Sequence, residues 1–212
     1  MSKPGPSNSG RDPEIFEQFI EQLRRYVRER LIPAEEDVIA NDRIPHDILT
    51  EMREMGLFGI TIPEEFGGAG MSISQYIETV KQISYAAPAY RSTMSINVGM
   101  TGSAIKNFGT TEQKDFWLPR IASGEIACFG LTEPGSGSDS AAMQTMAVRD
   151  GNGYKLTGTK RYITNSPAAK IGLIMARTSK EALPKNAHVS AFIVDMTSPG
   201  ISIGKSDKKM GQ

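Results

Sequence analysis

The spacing of apolar residues changes once along this 212-residue chain, near residue 125, and that change limits the fold more than any other feature. Before it, apolar residues recur every three or four positions, as on one face of a helix; after it they alternate, as on a pleated strand. Asp12 and Pro13 supply a helix N-cap and a first helical residue, and Ile15, Phe16, Phe19, Ile20, Leu23, Tyr26 and Val27 then follow on one face. Pro33 breaks this helix or opens a short turn, and Glu35, Glu36 and Asp37 read as a solvated acidic surface. A second helix is expected from about Pro45 through Ile48, Leu49, Met52 and Met55, stopped by Gly56. Ser72 with Gln75 and Thr110 with Gln113 have the capping-box spacing. The first precedes Ile73, Tyr76, Ile77, Val80 and Ile83, and the second precedes Phe116, Trp117, Leu118 and Ile121, with a stop at Gly124. Between them, Tyr90–Met100 mixes small and apolar residues and runs on to Phe108; it reads as a buried helix with one face left for a ligand.

Past Glu125, strands are expected over residues 126–131, 171–177 and 189–195, with a hairpin of residues 143–149 and 154–157 turning at Asp150–Gly153. The fold class is therefore α+β. An all-α domain spans residues 11–125 and an antiparallel β-domain spans 126–212. Residues 1–10 lack the apolar core of a signal peptide and the arginines of a transit helix, and read as a disordered tail.

Charge and cysteine content exclude several functions. Lys plus Arg and Asp plus Glu both number 24, so the formal charge is zero and no general attraction to nucleic acid or anionic membrane is expected. No apolar run reaches the roughly 18 residues of a membrane span, and a cytoplasmic location is expected. Cys128 is the sole cysteine, which rules out an internal disulfide or a thiolate metal cluster; its apolar setting makes it a small core residue. His46 and His188 have no ligand spacing around them, so no metal site is expected and both read as surface or capping residues.

Two stretches carry the chemistry. Cys128-Phe-Gly-Leu-Thr-Glu-Pro-Gly-Ser-Gly-Ser-Asp139 reads as a buried strand running into a Gly, Ser and Pro loop, which offers N–H groups and hydroxyls to phosphate or carbonyl oxygens. Gly158-Thr-Lys-Arg-Tyr-Ile-Thr-Asn165 reads as a strand that ends by placing a flat ring beside a hydroxyl, a pairing suited to a planar cofactor. Judged by residue type alone, Thr132 and Thr164 are more simply strand-end hydroxyls serving nearby backbone, and Ser138 a turn cap. Glu133 and Asp139 read as loop braces rather than catalytic acids. Phe66-Gly-Gly-Ala-Gly70 and Gly135-Ser-Gly137 lack the spacing of a dinucleotide fingerprint or phosphate-binding loop, so a nicotinamide site is disfavoured.

Leu131-Thr-Glu-Pro-Gly-Ser-Gly-Ser-Asp139 and Gly158–Asn165 resemble the paired flavin-binding signatures of the acyl-CoA dehydrogenase family, in the same order and spacing. Pro63-Glu-Glu-Phe-Gly-Gly-Ala-Gly70 resembles the family's upstream glycine loop, and the likeness extends from about Glu14 to Gln212. The resemblance implies FAD as cofactor and an acyl-CoA thioester as substrate, dehydrogenated to a 2-enoyl-CoA. It places Phe129, Gly130 and Leu131 along the flavin ring through their backbone, Thr132 at its pyrimidine edge, Ser138 near the diphosphate and the pantetheine arm, and Tyr162, Ile163 and Thr164 around the ring. Tyr162 stands where many members have Trp.

Tyr90-Arg-Ser-Thr-Met-Ser95 further resembles a run in glutaryl-CoA dehydrogenases in which the Arg and second Ser contact the distal carboxylate. Arg91, Ser92 and Ser95 would then meet a short or dicarboxylic acyl group, with Thr93, Ile96 and Met100 lining its chain; a salt bridge at the helix start is the competing use of Arg91. Ser84 or its neighbours stand where those enzymes carry an upstream Glu, which leaves decarboxylation open.

The resemblance also implies that residues 126–212 are an incomplete barrel-like middle domain. The family's C-terminal helical bundle, with the catalytic Glu, is not in these 212 residues, so no catalytic residue is expected here and little activity from this chain alone. Electron-transferring flavoprotein as electron acceptor, a homodimeric or homotetrameric assembly, and a place in fatty-acid or amino-acid catabolism complete what the resemblance implies. Two other readings are an oxygen-using relative such as an acyl-CoA oxidase or nitroalkane oxidase, and a non-catalytic flavin- or acyl-CoA-binding protein.

Overall fold

The computed structural model describes residues 12–181, 184, 187–207 and 209; the expected N-terminal tail lies outside the described residues. The described chain divides into two compact units at Glu125/Ile126.

The first unit is helical. In α1 (Pro13–Tyr26) the Asp12 carboxylate accepts the N–H groups of Glu14 at 2.9 Å and Ile15 at 3.4 Å, as expected of an N-cap. The helix continues through a π turn (Val27–Leu31) and a 3-10 turn (Ile32–Ala34), because Pro33 has no N–H to extend the regular ladder. Helix α2 (Glu35–Asn41) follows. Glu36 and Asp37 are exposed, as expected, and Glu35 is half-buried; all three lie in the first turn of α2, where acidic residues complement the backbone dipole. Helix α3 (His46–Glu54) ends before Gly56, whose φ of 69° suits glycine.

Both capping boxes form, Ser72 with Gln75 opening α4 (Ile73–Ile83) and Thr110 with Gln113 opening α7 (Thr111–Ala122). The apolar face of α4 is only partly covered. Ile73 and Ile77 are 64% and 60% exposed while Thr79, Gln82 and Ile83 are buried. Thr79 is accommodated by donating to the Gln75 carbonyl at 2.9 Å, and Gln82 by donating to Glu78 at 2.6 Å. The long expected helix is three joined pieces: α5 (Pro88–Ser95), a π segment (Ile96–Gly102) and α6 (Ser103–Phe108). Leu23, Leu31, Met52, Phe58, Ile83 and Tyr90 are fully buried in the core of the helical unit, each large apolar side chain contributing roughly 1.5–3 kcal/mol.

The second unit holds β1 (Ala127–Gly130), β2 (Met146–Asp150), β3 (Gly153–Thr157), β4 (Ile171–Arg177) and β5 (Val189–Asp195). The β2–β3 hairpin and the β4–β5 pair are antiparallel, but β1 pairs with β4 in parallel, from Ala127 opposite Ile171 to Gly130 opposite Ile174. The sheet is thus mixed and open among the described residues, rather than wholly antiparallel and barrel-like. Residues 131–170 form a connection long enough to return the chain to the same end of the sheet, which a parallel pair requires.

Strand β5 covers one edge of β4 along its whole length, so β1 and β2 share the other. The chain leaves that edge at Gly130 and rejoins it at Met146, opposite Arg177. Everything between is loop or short turn.

No helix among the described residues is long and apolar enough to cross a membrane. None of their His, Cys, Asp and Glu side chains cluster in threes that could hold a metal ion. His188 is not at the surface. It is 3% exposed, and its Nε2 faces the Ala141 carbonyl at 3.3 Å as a donor.

Candidate functional site

Residues 131–145 depart from the sheet, so what shapes them must be local contacts. Glu133 and Ser136 exchange backbone hydrogen bonds, the Glu133 N–H donating at 3.0 Å and the Ser136 N–H at 3.2 Å, around Pro134-Gly135. The Ser136 hydroxyl donates to the Asp139 carbonyl at 2.7 Å. The Glu133 side chain, in a residue 6% exposed, accepts from the N–H groups of Gln144 and Thr145, the Thr145 hydroxyl, and Lys160 Nζ at 2.8 Å. Burial alone would raise its pKa, but the Lys160 ammonium and these donors outweigh that and hold it at about 2. Glu133 is a loop brace and an ionised one. A group so acidic has no use as a base near neutral pH.

Gly158–Asn165 is not a strand. Tyr162 and Asn165 have φ of 58° and 70°, a left-handed geometry that ends extended pairing, and Ile163–Ala169 turns back on itself. The segment is fixed instead by individual contacts. Lys160 Nζ donates to the Leu131 carbonyl at 3.0 Å, the Arg161 N–H to the Thr132 carbonyl at 2.8 Å, and Asn165 Nδ2 to the Ala127 carbonyl at 3.0 Å. The two motifs are thereby laced together along residues 127–133 and 160–165.

Of the residues expected at the cofactor, Phe129 and Gly130 close β1 and Leu131 and Thr132 begin the loop. Tyr162 is 58% exposed, with the Arg161 guanidinium 4.7 Å from its ring centroid. Ile163 and Thr164 are half-buried, and Ser138 lies exposed on the far side of the loop turn. The hydroxyls of Thr132, Ser138 and Thr164 make no hydrogen bond to another described residue. They are not spent on nearby backbone. Sequence reasoning missed Lys160, which sits inside the second motif; a lysine two residues before the ring, together with a buried-loop glutamate in the first motif, was the available signal.

In the first unit, α5 presents Arg91 and Ser95 one helical turn apart on a half-buried face, with Thr93 and Ile96 also half-buried, Ser92 buried and Met100 exposed. Arg91 forms no ion pair among the described residues, so the salt bridge considered for it is not made there. The Ser95 hydroxyl is buried with no hydrogen-bond partner among them. A buried hydroxyl without a partner is costly, by roughly 1–3 kcal/mol, unless something else supplies one.

The family model for the acyl-CoA dehydrogenase N-terminal domain matches residues 13–125, and that for the middle domain matches residues 128–212. The chain belongs to the acyl-CoA dehydrogenase family. It is 36% identical over 191 residues to an acyl-CoA dehydrogenase of Bacillus subtilis, covering 89% of this chain and 50% of that protein. It is also 36% identical over 200 residues to the mitochondrial short-chain specific acyl-CoA dehydrogenase of Bos taurus, covering 94% and 48%. A solved glutaryl-CoA dehydrogenase from Mycobacterium smegmatis in complex with FADH2 superposes with a TM-score of 0.83 at 30% identity, over 94% of this chain and 50% of that one. The chain spans about half the length of the curated relatives it matches.

Proposed function

We propose that this acyl-CoA dehydrogenase chain supplies the flavin cradle and part of the acyl pocket of an enzyme that converts an acyl-CoA thioester to its 2-enoyl-CoA with FAD. The observation that carries this reading is the contrast within the two laced segments, residues 131–139 and 158–165. The polar groups of Glu133, Ser136 and Lys160 are engaged internally, whereas the hydroxyls of Thr132, Ser138 and Thr164 are open. A donor set of that kind, beside an exposed Tyr162 ring, fits a planar ligand edged with carbonyl and phosphate oxygens. FAD, when bound, would accept the hydride from the substrate β-carbon.

The chain's own part is to bind and orient. The backbone of Phe129, Gly130 and Leu131 would lie along the flavin, Thr132 would donate to its pyrimidine edge, Tyr162, Ile163 and Thr164 would flank it, and Ser138 would serve the diphosphate and pantetheine. Fixed donors facing the edge where negative charge gathers lower the barrier without reorganising during reaction. No residue of this chain is proposed as the base that takes the α-proton. Electron-transferring flavoprotein as acceptor and a dimeric or tetrameric assembly follow from family membership as expectations for the whole protein.

For the acyl group we propose a short chain with a distal carboxylate. An arginine without an ion pair and a buried, unpartnered serine hydroxyl on one helical face suit that anion. Thr93, Ile96 and Met100 would line the chain, and Ser92 would back it. Anaerobic addition of butyryl-CoA and, separately, glutaryl-CoA to the full-length protein tests this. Bleaching of the flavin band by both, stronger with glutaryl-CoA and losing that preference in Arg91→Met, is expected. Equal bleaching before and after the substitution would contradict the carboxylate role.

A further inference from the structure

The loop that carries Leu131 and Thr132 has no sheet to hold it. The chain leaves the edge of β4 at Gly130 and returns only at Met146, and in that interval the buried Glu133–Lys160 pair is the point where three segments meet. Glu133 gathers the N–H groups of Gln144 and Thr145, just before β2, and the ammonium of Lys160, just after β3. Lys160 Nζ in turn reaches the Leu131 carbonyl at 3.0 Å and faces Met143 Sδ at 3.8 Å, so each of its three protons has a neighbour.

Two glycines make this approach possible. A Cβ on Gly130 would stand 3.4 Å from Lys160 Cγ and 2.6 Å from Ile174 Cδ1, and one on Gly158 would stand 2.6 Å from the Thr145 Cα. Backbone is kept bare where the lysine stem and its segment pass over the sheet edge.

We infer that Glu133 and Lys160 are positioning residues for the flavin: by gripping the Leu131 carbonyl and the loop that carries Thr132, their clasp presents the Thr132 N–H and hydroxyl to the cofactor. The inference rests on the flavin reading of this loop. Replacing a buried ion pair by apolar residues of similar volume often leaves stability unchanged or improved, so stability alone gives weak reason for placing one here. Register gives a better one, since the carbonyl that Lys160 holds belongs to the residue immediately before Thr132.

A double-mutant cycle on the flavin-loaded full-length protein separates the two roles. Lys160→Met strands the Glu133 carboxylate and should lower both thermal midpoint and flavin affinity. Glu133→Gln leaves Lys160 on the Leu131 carbonyl and should have the smaller effect on flavin. In the double variant no charge is left unpaired, so the midpoint should recover towards that of the unsubstituted protein, while flavin stays about tenfold or more weaker and its reduction potential remains shifted. Recovery of affinity and potential together with the midpoint would overturn the positioning role, as would flavin binding unchanged throughout. Should Lys160→Met not fold, Glu133→Gln and the double variant still give that comparison. A failure of the flavin reading itself looks different, because the unsubstituted protein would then bind no flavin.

Discussion

At the scale of single residues, Glu133 makes a prediction about acid. Its folded-state pKa, about 2, lies below the ordinary value of 4.5, because the Lys160 charge and the donors around the carboxylate overcome the penalty of burial. Its stabilising contribution is therefore complete above 4.5 and is lost as pH falls from there towards 2. Denaturant midpoints should fall across that window, and Glu133→Gln should flatten part of the fall; a midpoint equally steep in the variant would contradict the assignment. The role of Glu133 as a brace was legible from its place beside Pro134 and Gly135. Its partner was not. Lys160 lies 27 positions away, and nothing in local spacing says that an ammonium so distant will meet a carboxylate in a buried setting. The same limit applies to His188, which the lack of ligand spacing leaves as a surface or capping residue but which is buried just before β5, facing the Ala141 carbonyl.

Among the elements, the break after α1 shows how a local irregularity is repaired from elsewhere in the chain. At the 3-10 turn the Glu35 N–H turns to the Ile32 carbonyl, one residue later than a continuing α-helix would use, which leaves the Leu31 carbonyl without it. The Tyr90 hydroxyl of α5 donates to that carbonyl at 3.2 Å in full burial, and burial with nearby acidic groups pushes the phenol up to about 12. Tyr90→Phe should cost about 1–3 kcal/mol, read as a lowered urea midpoint at unchanged slope, because it orphans a buried acceptor. A loss near zero would mean that the carbonyl finds another donor. Helix starts were readable because Asp12, Ser72 and Thr110 act within a few residues of themselves. Strand partners were less so. The Asp150–Gly153 turn fixes an antiparallel hairpin, but β1 joins β4 across 131–170, and alternation within a strand carries no sign of its neighbour's direction. Gly158–Asn165 misled for a related reason, since Tyr162 is of a strand-favouring type yet takes the left-handed geometry that Asn165 more readily adopts.

For the whole molecule, the family was legible because two motifs in order and spacing were read as one cradle, and the middle-domain family model matches residues 128–212, which carry both. Their internal hydrogen bonding explains why these residue types are needed: some lace the loops together, and the remainder are left open. The substrate is carried by thinner signals, Arg91 and the buried Ser95 hydroxyl on one face of α5. The visible absorbance spectrum of the purified full-length protein tests the central claim most directly. A yellow protein that releases about one flavin per chain on denaturation is predicted, with the open hydroxyls of Thr132 and Thr164 as the groups that hold it. A colourless protein that stays colourless after FAD is added would contradict the account, and would leave those hydroxyls without a ligand.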